Sequence, residues 1–163
     1  MSPTEIAVAI AESSIGTGLR ESLILFPLIE GVHLLGLALS FGLILFTDLR
    51  LIGVFMPSVP LSQILGQLRR YVFTGFALTF ITGVLLFWAE ADTMIANPAF
   101  LWKVAAIVVA LFNAVVFELT LARRGKAWID QPAAPIAART AGWISLSFWS
   151  AATVGGRLIP YFA

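Results

Sequence analysis

Four stretches of this chain are long and apolar enough to cross a bilayer, and they limit the folds open to it more than any other feature. They run from about Ser22 to Phe46, Tyr71 to Ala89, Pro98 to Ala122 and Ala141 to Phe162. A hydrocarbon core of about 30 Å takes about 20 apolar residues of helix to span. Backbone polar groups find no water there, so a spanning segment must satisfy them internally, as a helix. The breaks between the segments are short and carry turn chemistry. "MPSVPLSQ" holds two prolines and two serines, "EADTMIANP" is acidic, and "RRGKAWIDQPAAP" is basic and proline-rich. Short loops make sequential helices antiparallel neighbours. The expected fold is an all-α integral membrane protein. Residues 22–163 form an antiparallel four-helix bundle, and residues 1–21 form an interfacial N-terminal segment.

In that first segment, "SPTEIAVAIAESSI" offers Ser2 as N-cap, Pro3 at the first helical position and Glu5 at the third, a helix-start signature. It lacks the basic n-region of a cleavable signal peptide. It reads as a short helix lying on the membrane surface. "GTGLRES" reads as a flexible link into the first span.

Composition supports the membrane class. The chain is 60% hydrophobic and 12% charged, with a mean hydropathy of +0.96, against about 45–50% and about 25% in soluble domains. A net charge of +1 leaves no footprint for nucleic acid, so the bilayer is the expected partner. With no cysteine there is no disulfide, thiolate metal site or Cys nucleophile. A single histidine leaves no zinc site of ordinary composition. No catalytic set stands out, so the sequence leaves open whether the protein is an enzyme.

Orientation follows from Lys and Arg. The first loop region holds Arg50, Arg69 and Arg70, and the third holds Arg123, Arg124, Lys126 and Arg139. The second holds Glu90 and Asp92 and no basic residue. Seven basic residues against none place the first and third loops in the cytoplasm. The expected location is the bacterial inner membrane, with both termini outward.

The polar residues inside the spans then need a reason. The first span carries Glu30 and His33, three residues apart on one helix face that continues through Leu37, Ser40, Ile44 and Thr47. A charge at mid-helix costs about 2.5–3.5 kcal/mol, while each Leu, Ile, Phe or Val contributes about −0.3 to −0.6. The sixteen such residues between Ser22 and Phe46 total roughly −8 kcal/mol at a central value. The span therefore inserts in spite of the pair. Lys103 lies five residues into the third span, and Arg157 lies near the outer end of the fourth. A Glu30–Lys103 ion pair is expected. Asp48, Arg50, Arg69, Arg70 and Glu118 form an inner set that fixes topology and packing, with Glu118 pairing one of the arginines and Asn113 deeper.

Neutral imidazole is the usual protein ligand of haem iron, and its second ring nitrogen wants an orienting acceptor. His33 is therefore the candidate metal ligand for haem b. Glu30 or a backbone carbonyl could orient it, and Lys103 and Arg157 could meet the propionates. Phe76, Phe80, Phe87, Trp102 and Trp149 could wall the macrocycle, with clearance at Gly36, Gly42, Gly75, Gly83, Gly155 and Gly156. One histidine leaves the iron five-coordinate, bound also by Lys103, or shared with a second copy. The small residues of "GWISLSFWSAATVGGRLIP" suit contact within the bundle or in a homo-oligomer. Electron transfer with a redox partner or quinone is one reading. The other is transport of a metal ion or small ligand, or a scaffold role, with Glu30 and His33 as a polar gate.

"EGVHLLGLALSFGLILFTDLRLIG", "LRRYVFTGFALTFITGVLLF" and "NPAFLWKVAAIVVALFNAVVFE" share a pattern. A histidine comes early in the first span, Asp-Leu-Arg at its inner end, Thr-Gly in the second span, and Pro-x-Phe-x-x-Lys opens the third. Over roughly residues 22–120 this resembles a group of uncharacterised bacterial four-helix membrane proteins. More distantly it is similar to the copper-resistance D-type membrane domains and the HemJ-type protoporphyrinogen oxidases. The latter resemblance implies haem b on His33, with Lys103 as the companion lysine. The chain departs from the HemJ-type pattern in lacking its further histidines and its Trp-Met-Ala-Gly stretch, and it has no Met-rich or His-rich copper motif.

Overall fold

A computed structural model describes residues 1–122 and 128–162. Among these residues the chain is helical, without strands. Two short helices, α1 (Pro3–Ala11) and α2 (Ser14–Arg20), precede the long α3 (Leu25–Ile52) and α4 (Leu61–Ala89). A single turn, α5 (Ala91–Met94), leads into α6 (Pro98–Val116), which continues as a π-helical segment over Phe117–Ala122. The last long helix, α7 (Ile136–Leu158), ends in a 3-10 turn over Ile159–Tyr161.

The expected N-terminal cap is present. The Glu5 backbone N–H donates to Ser2 Oγ at 3.2 Å, and the Ser2 N–H donates to the Glu5 carboxylate at 2.8 Å. The stretch read as a flexible link is instead α2. Ser13 caps it by accepting from the Gly16 N–H at 3.2 Å. Gly16 is buried against the Ile10 and Ala11 carbonyls, where a side chain would collide. These two helices dock on α5 and the end of α4 through Ala7, Ala11 and Ala91, and Trp88 Nε1 donates to Ser13 Oγ at 3.0 Å.

The first two long helices outrun the apolar segments that announced them. α3 continues past Phe46 to Ile52 and stops at Gly53, whose φ of 91° supplies the left-handed C-cap that glycine adopts without strain. α4 begins ten residues before Tyr71, at Leu61. Apolarity marks only the lipid-facing part of a helix. Asp48, Arg50, Arg69 and Arg70 are therefore helical rather than in a loop. Arg123, Arg124 and Lys126 lie outside the described residues.

α3, α4 and α6 are long and apolar enough to cross a membrane. Their large side chains face outward: Leu35 and Phe80 are each 73% exposed and Phe112 is 69% exposed. Soluble monomers rarely present so much contiguous apolar surface, and a bilayer covers it. The segment expected as a fourth span behaves differently. α7 has 23 residues, enough to cross, but its glycines, serines and threonines keep it below the apolarity of the other three. It turns Gly142, Trp149, Ala152 and Gly155 inward. α3 packs against α4 and α7, and α7 packs against α6.

Small residues make the α3–α4 contact. A Cβ on Gly75 would lie 2.8 Å from the Ser40 backbone nitrogen and 3.0 Å from the Gly36 carbonyl oxygen. One on Gly36 would lie 2.9 Å from Thr79 Oγ1. Gly36-x-x-x-Ser40 on α3 thus meets Gly75-x-x-x-Thr79 on α4, antiparallel, with the backbones nearly touching. In the α6–α7 contact Gly155 lies against Ala99, Trp102 and Lys103, and Asn113 donates to the Ala141 carbonyl at 3.0 Å, while Gly142 of α7 lies against Leu51 and Ile52 of α3. Gly75→Ala should therefore destabilise the fold by about 1–3 kcal/mol. Gly31→Ala, which meets nothing within 4 Å, should be neutral or stabilise by up to about 1 kcal/mol. Unfolding in mixed micelles of rising denaturing-detergent fraction measures both, and equal stabilities would show that the α3–α4 contact is absent.

Candidate functional site

The α3–α4 crossing carries His33 to α4. As the contact runs outward from Ser40 and Gly36 on α3, it meets Gly75, Thr79, then Thr82 and Gly83 on α4. His33 Nδ1 lies 3.0 Å from Thr82 Oγ1. The Thr82 hydroxyl also reaches back along its own helix to the Leu78 carbonyl at 2.5 Å, with the Thr79 carbonyl 3.3 Å away. Gly83 gives the ring room: a Cβ there would lie 3.1 Å from His33 Cε1. The ring is partly buried and Thr82 is buried.

Nδ1 is therefore held by a threonine hydroxyl, not by Glu30. Thr82 was missed, although the sequence held a signal for it, a hydroxyl at mid-span in "LTFITG". Glu30 is exposed on α3. The expected Glu30–Lys103 ion pair is not formed among the described residues. The two side chains belong to helices that do not pack together, and Lys103 turns toward α7. Its chain lies over Gly155 and Gly156, with Nζ 3.4 Å from where a Gly156 Cβ would sit. Lys103 and Glu30 are both within electrostatic reach of His33. Arg157 is exposed at the end of α7 and has no carboxylate partner among the described residues.

The aromatic residues divide. Phe76 and Trp149 pack with ring centroids 4.9 Å apart, and Phe87 stacks on Phe100 at 5.5 Å. Phe80 and Trp102 point outward, 73% and 60% exposed. Much of the expected glycine clearance is filled by the protein itself: Gly36 by Thr79, Gly75 by Ser40, Gly83 by His33, and Gly155 and Gly156 by Lys103. Gly42 faces open space.

A family model for a family of unknown function (DUF6644) matches residues 17–162. The chain belongs to this family. The match spans His33, Thr82, Lys103 and Arg157 and starts within α2. Neither the curated proteins nor the solved structures contain a match.

At the end of the molecule that holds the α3–α4 loop, two arginines tie segments together. Arg50, 1% exposed, donates from Nε to the Val59 carbonyl at 2.8 Å and from Nη2 to the Gln131 carbonyl at 3.4 Å. It ties the α3–α4 loop to the segment before α7. Arg69 pairs with Glu118 at 2.8 Å, as expected of that carboxylate. Asp48 is buried, and its Oδ2 has no hydrogen-bond partner among the described residues.

At the opposite end Glu90 caps α4, and burial, then Asp92, then Glu30 raise its pKa above the ordinary carboxylate value, with Arg20 opposing. A carboxylate at a helix C-terminus is also disfavoured by the helix dipole. A raised folded pKa means the native state binds protons more tightly than the unfolded state. Stability is then fullest below the unfolded pKa and falls as pH rises through the folded one. Glu90→Gln should accordingly raise the unfolding midpoint at pH near 7 and have no such effect at pH near 4. Equal shifts at both pH values would contradict this linkage.

Proposed function

We propose that the protein is a bacterial inner-membrane four-helix bundle, with α7 as its fourth span, that holds b-type haem through His33. Its role is electron transfer or porphyrin-linked redox chemistry. One observation carries the reading. The sole imidazole is gripped through Nδ1 by α4, while Nε2 has no hydrogen-bond partner among the described residues. That is the arrangement of a ligating histidine, whose second nitrogen is held by an outer-shell acceptor. Among the described residues no three His, Asp or Glu side chains cluster to hold a bare metal ion. Haem iron needs no such cluster, because the macrocycle supplies four nitrogens and the protein only the axial ligand.

The surroundings fit an anionic macrocycle in part. Lys103 is a partly buried cation with no acidic partner among the described residues, within electrostatic reach of His33. Paired to a propionate, it would be relieved of an unpartnered charge in the membrane. Arg157, at the outer end of α7, supplies a second cation. When bound, haem would supply a one-electron couple. The protein's part is to hold the iron and balance the propionates.

The topology agrees with this placement. Arg50, the start of α4 and the approach to α7 are gathered at one end, and this end is cytoplasmic on the positive-inside rule. The outward end holds α1, α2, Glu90 and Asp92, and there Asn97 donates to the Ile159 carbonyl at 3.1 Å. The distant HemJ-type likeness points to the same histidine and lysine. A quinone or a redox protein at the membrane is the fitting partner, and a homo-oligomer could bring a second His33 to the iron.

Protein purified from haem-replete cells should be red, with a Soret band that shifts on dithionite reduction. His33→Ala should lose most of the band while still inserting, because it removes a polar group from α3. Lys103→Met should weaken haem retention modestly, or change the spin state if the lysine is the sixth ligand. A colourless preparation with no pyridine haemochrome would refute haem binding and leave transport or a scaffold role, with Glu30 and His33 as the gate.

A further inference from the structure

We infer that Thr82 is a positioning residue for His33: it fixes the imidazole tautomer that keeps hydrogen on Nδ1 and leaves the lone pair on Nε2. A threonine hydroxyl has one hydrogen to give. On the inner side of Thr82 Oγ1 lie two carbonyl oxygens, Leu78 at 2.5 Å and Thr79 at 3.3 Å. A carbonyl oxygen only accepts, so the hydroxyl hydrogen goes to this side, and the short Leu78 contact takes it. Toward His33 Nδ1, 3.0 Å away, Thr82 Oγ1 has only a lone pair to offer. Nδ1 must then be the donor. A neutral imidazole carries one ring hydrogen, so Nε2 is unprotonated.

One further contact holds this state. Gly83, whose Cβ would lie 3.6 Å from Nδ1, lets the ring sit close against α4. Thr82 is 6% exposed and its hydroxyl is bonded back into its own helix, so it does not swing away. A protein that used His33 only for packing would gain nothing from one tautomer over the other. One that ligates through Nε2 needs this one. The tautomer itself stands on the hydrogen bonds. Its use in ligation rests on the haem reading above.

The chain's single histidine makes the test direct. Haem-free protein in detergent, labelled with 15N-histidine, gives one pair of ring nitrogen resonances. At about pH 8.5 an ordinary imidazole is neutral. Long-range proton–nitrogen correlation then identifies the unprotonated nitrogen, because Nε2 couples to both ring C–H groups. The expected unprotonated nitrogen is Nε2. Thr82→Val should move the tautomer ratio by about fivefold toward the Nε2–H form, the worth of one net hydrogen bond. Thr82→Ser, which keeps the hydroxyl, should stay near wild type. An unprotonated Nδ1 in the wild type, or an unmoved ratio in Thr82→Val, would overturn the inference, and the wild-type spectrum decides even if the valine variant fails to fold. In haem-loaded protein, Thr82→Val should cut haem affinity about tenfold or more, with Thr82→Ser retaining it. A shifted tautomer with unchanged affinity would overturn the positioning role. The expected tautomer in a wild type that takes up no haem would overturn the haem reading alone.

Discussion

The setting of His33 depends on the close approach of α3 and α4 through residues with almost no side chain. Lipid tails are as apolar as leucine, so burying leucine between two membrane helices gains little. Close van der Waals contact and inter-helix hydrogen bonds hold them instead. Gly36 and Ser40 meeting Gly75 and Thr79 bring the backbones together. The same register, one turn further out, sets Thr82 and Gly83 opposite His33. A side chain at Gly36 or Gly75 would collide with the facing helix, so the helices would have to shift. The histidine's environment is thus a consequence of helix packing rather than of a pocket built around it.

The second structural theme is how each end of the molecule closes. At the end that holds the α3–α4 loop, the buried Arg50 bonds to two loop carbonyls, and the ion pair Arg69–Glu118 links α4 to the extension of α6. At the opposite end, α1 and α2 dock on α5 with alanine contacts and the Trp88–Ser13 bond. Between them Lys103 lies across Gly155 and Gly156. The glycines that could have cleared space for a ligand instead admit side chains and backbone of the protein. The site is therefore an imidazole and a cation held at separate helix contacts, α3–α4 for His33 and α6–α7 for Lys103.

The long helices were legible in the sequence because twenty or so apolar residues in a row admit little else. The ends of α3 and α4 were not, because Asp48, Arg50 and the stretch from Leu61 to Arg70 are polar enough to read as loop. What made Arg50 helical and buried is the pair of loop carbonyls waiting for it, which no local pattern announces. The N-terminal cap at Ser2 was readable, since capping is a local matter of three residues. α2 was not, because its two glycines argue against a helix and only the contact of Gly16 with α1 explains one of them. His33 stood out as the lone imidazole. Its partner Thr82 is 49 residues away, and identifying it required the register of α3 on α4. The Glu30–Lys103 pair failed for the same reason: charge and rough depth suggested it, but helix adjacency, which the sequence left open, did not allow it.

The central claim is that His33 itself holds haem iron, and the ferric protein grown on 15N-histidine tests it most directly. Because the chain has one histidine, strong 15N hyperfine coupling from a coordinated ring nitrogen to the haem iron, seen by pulsed electron paramagnetic resonance and lost when the label is omitted, is the predicted result. Ferric haem with no such coupling would show that the iron is held by something other than His33 and would contradict the account.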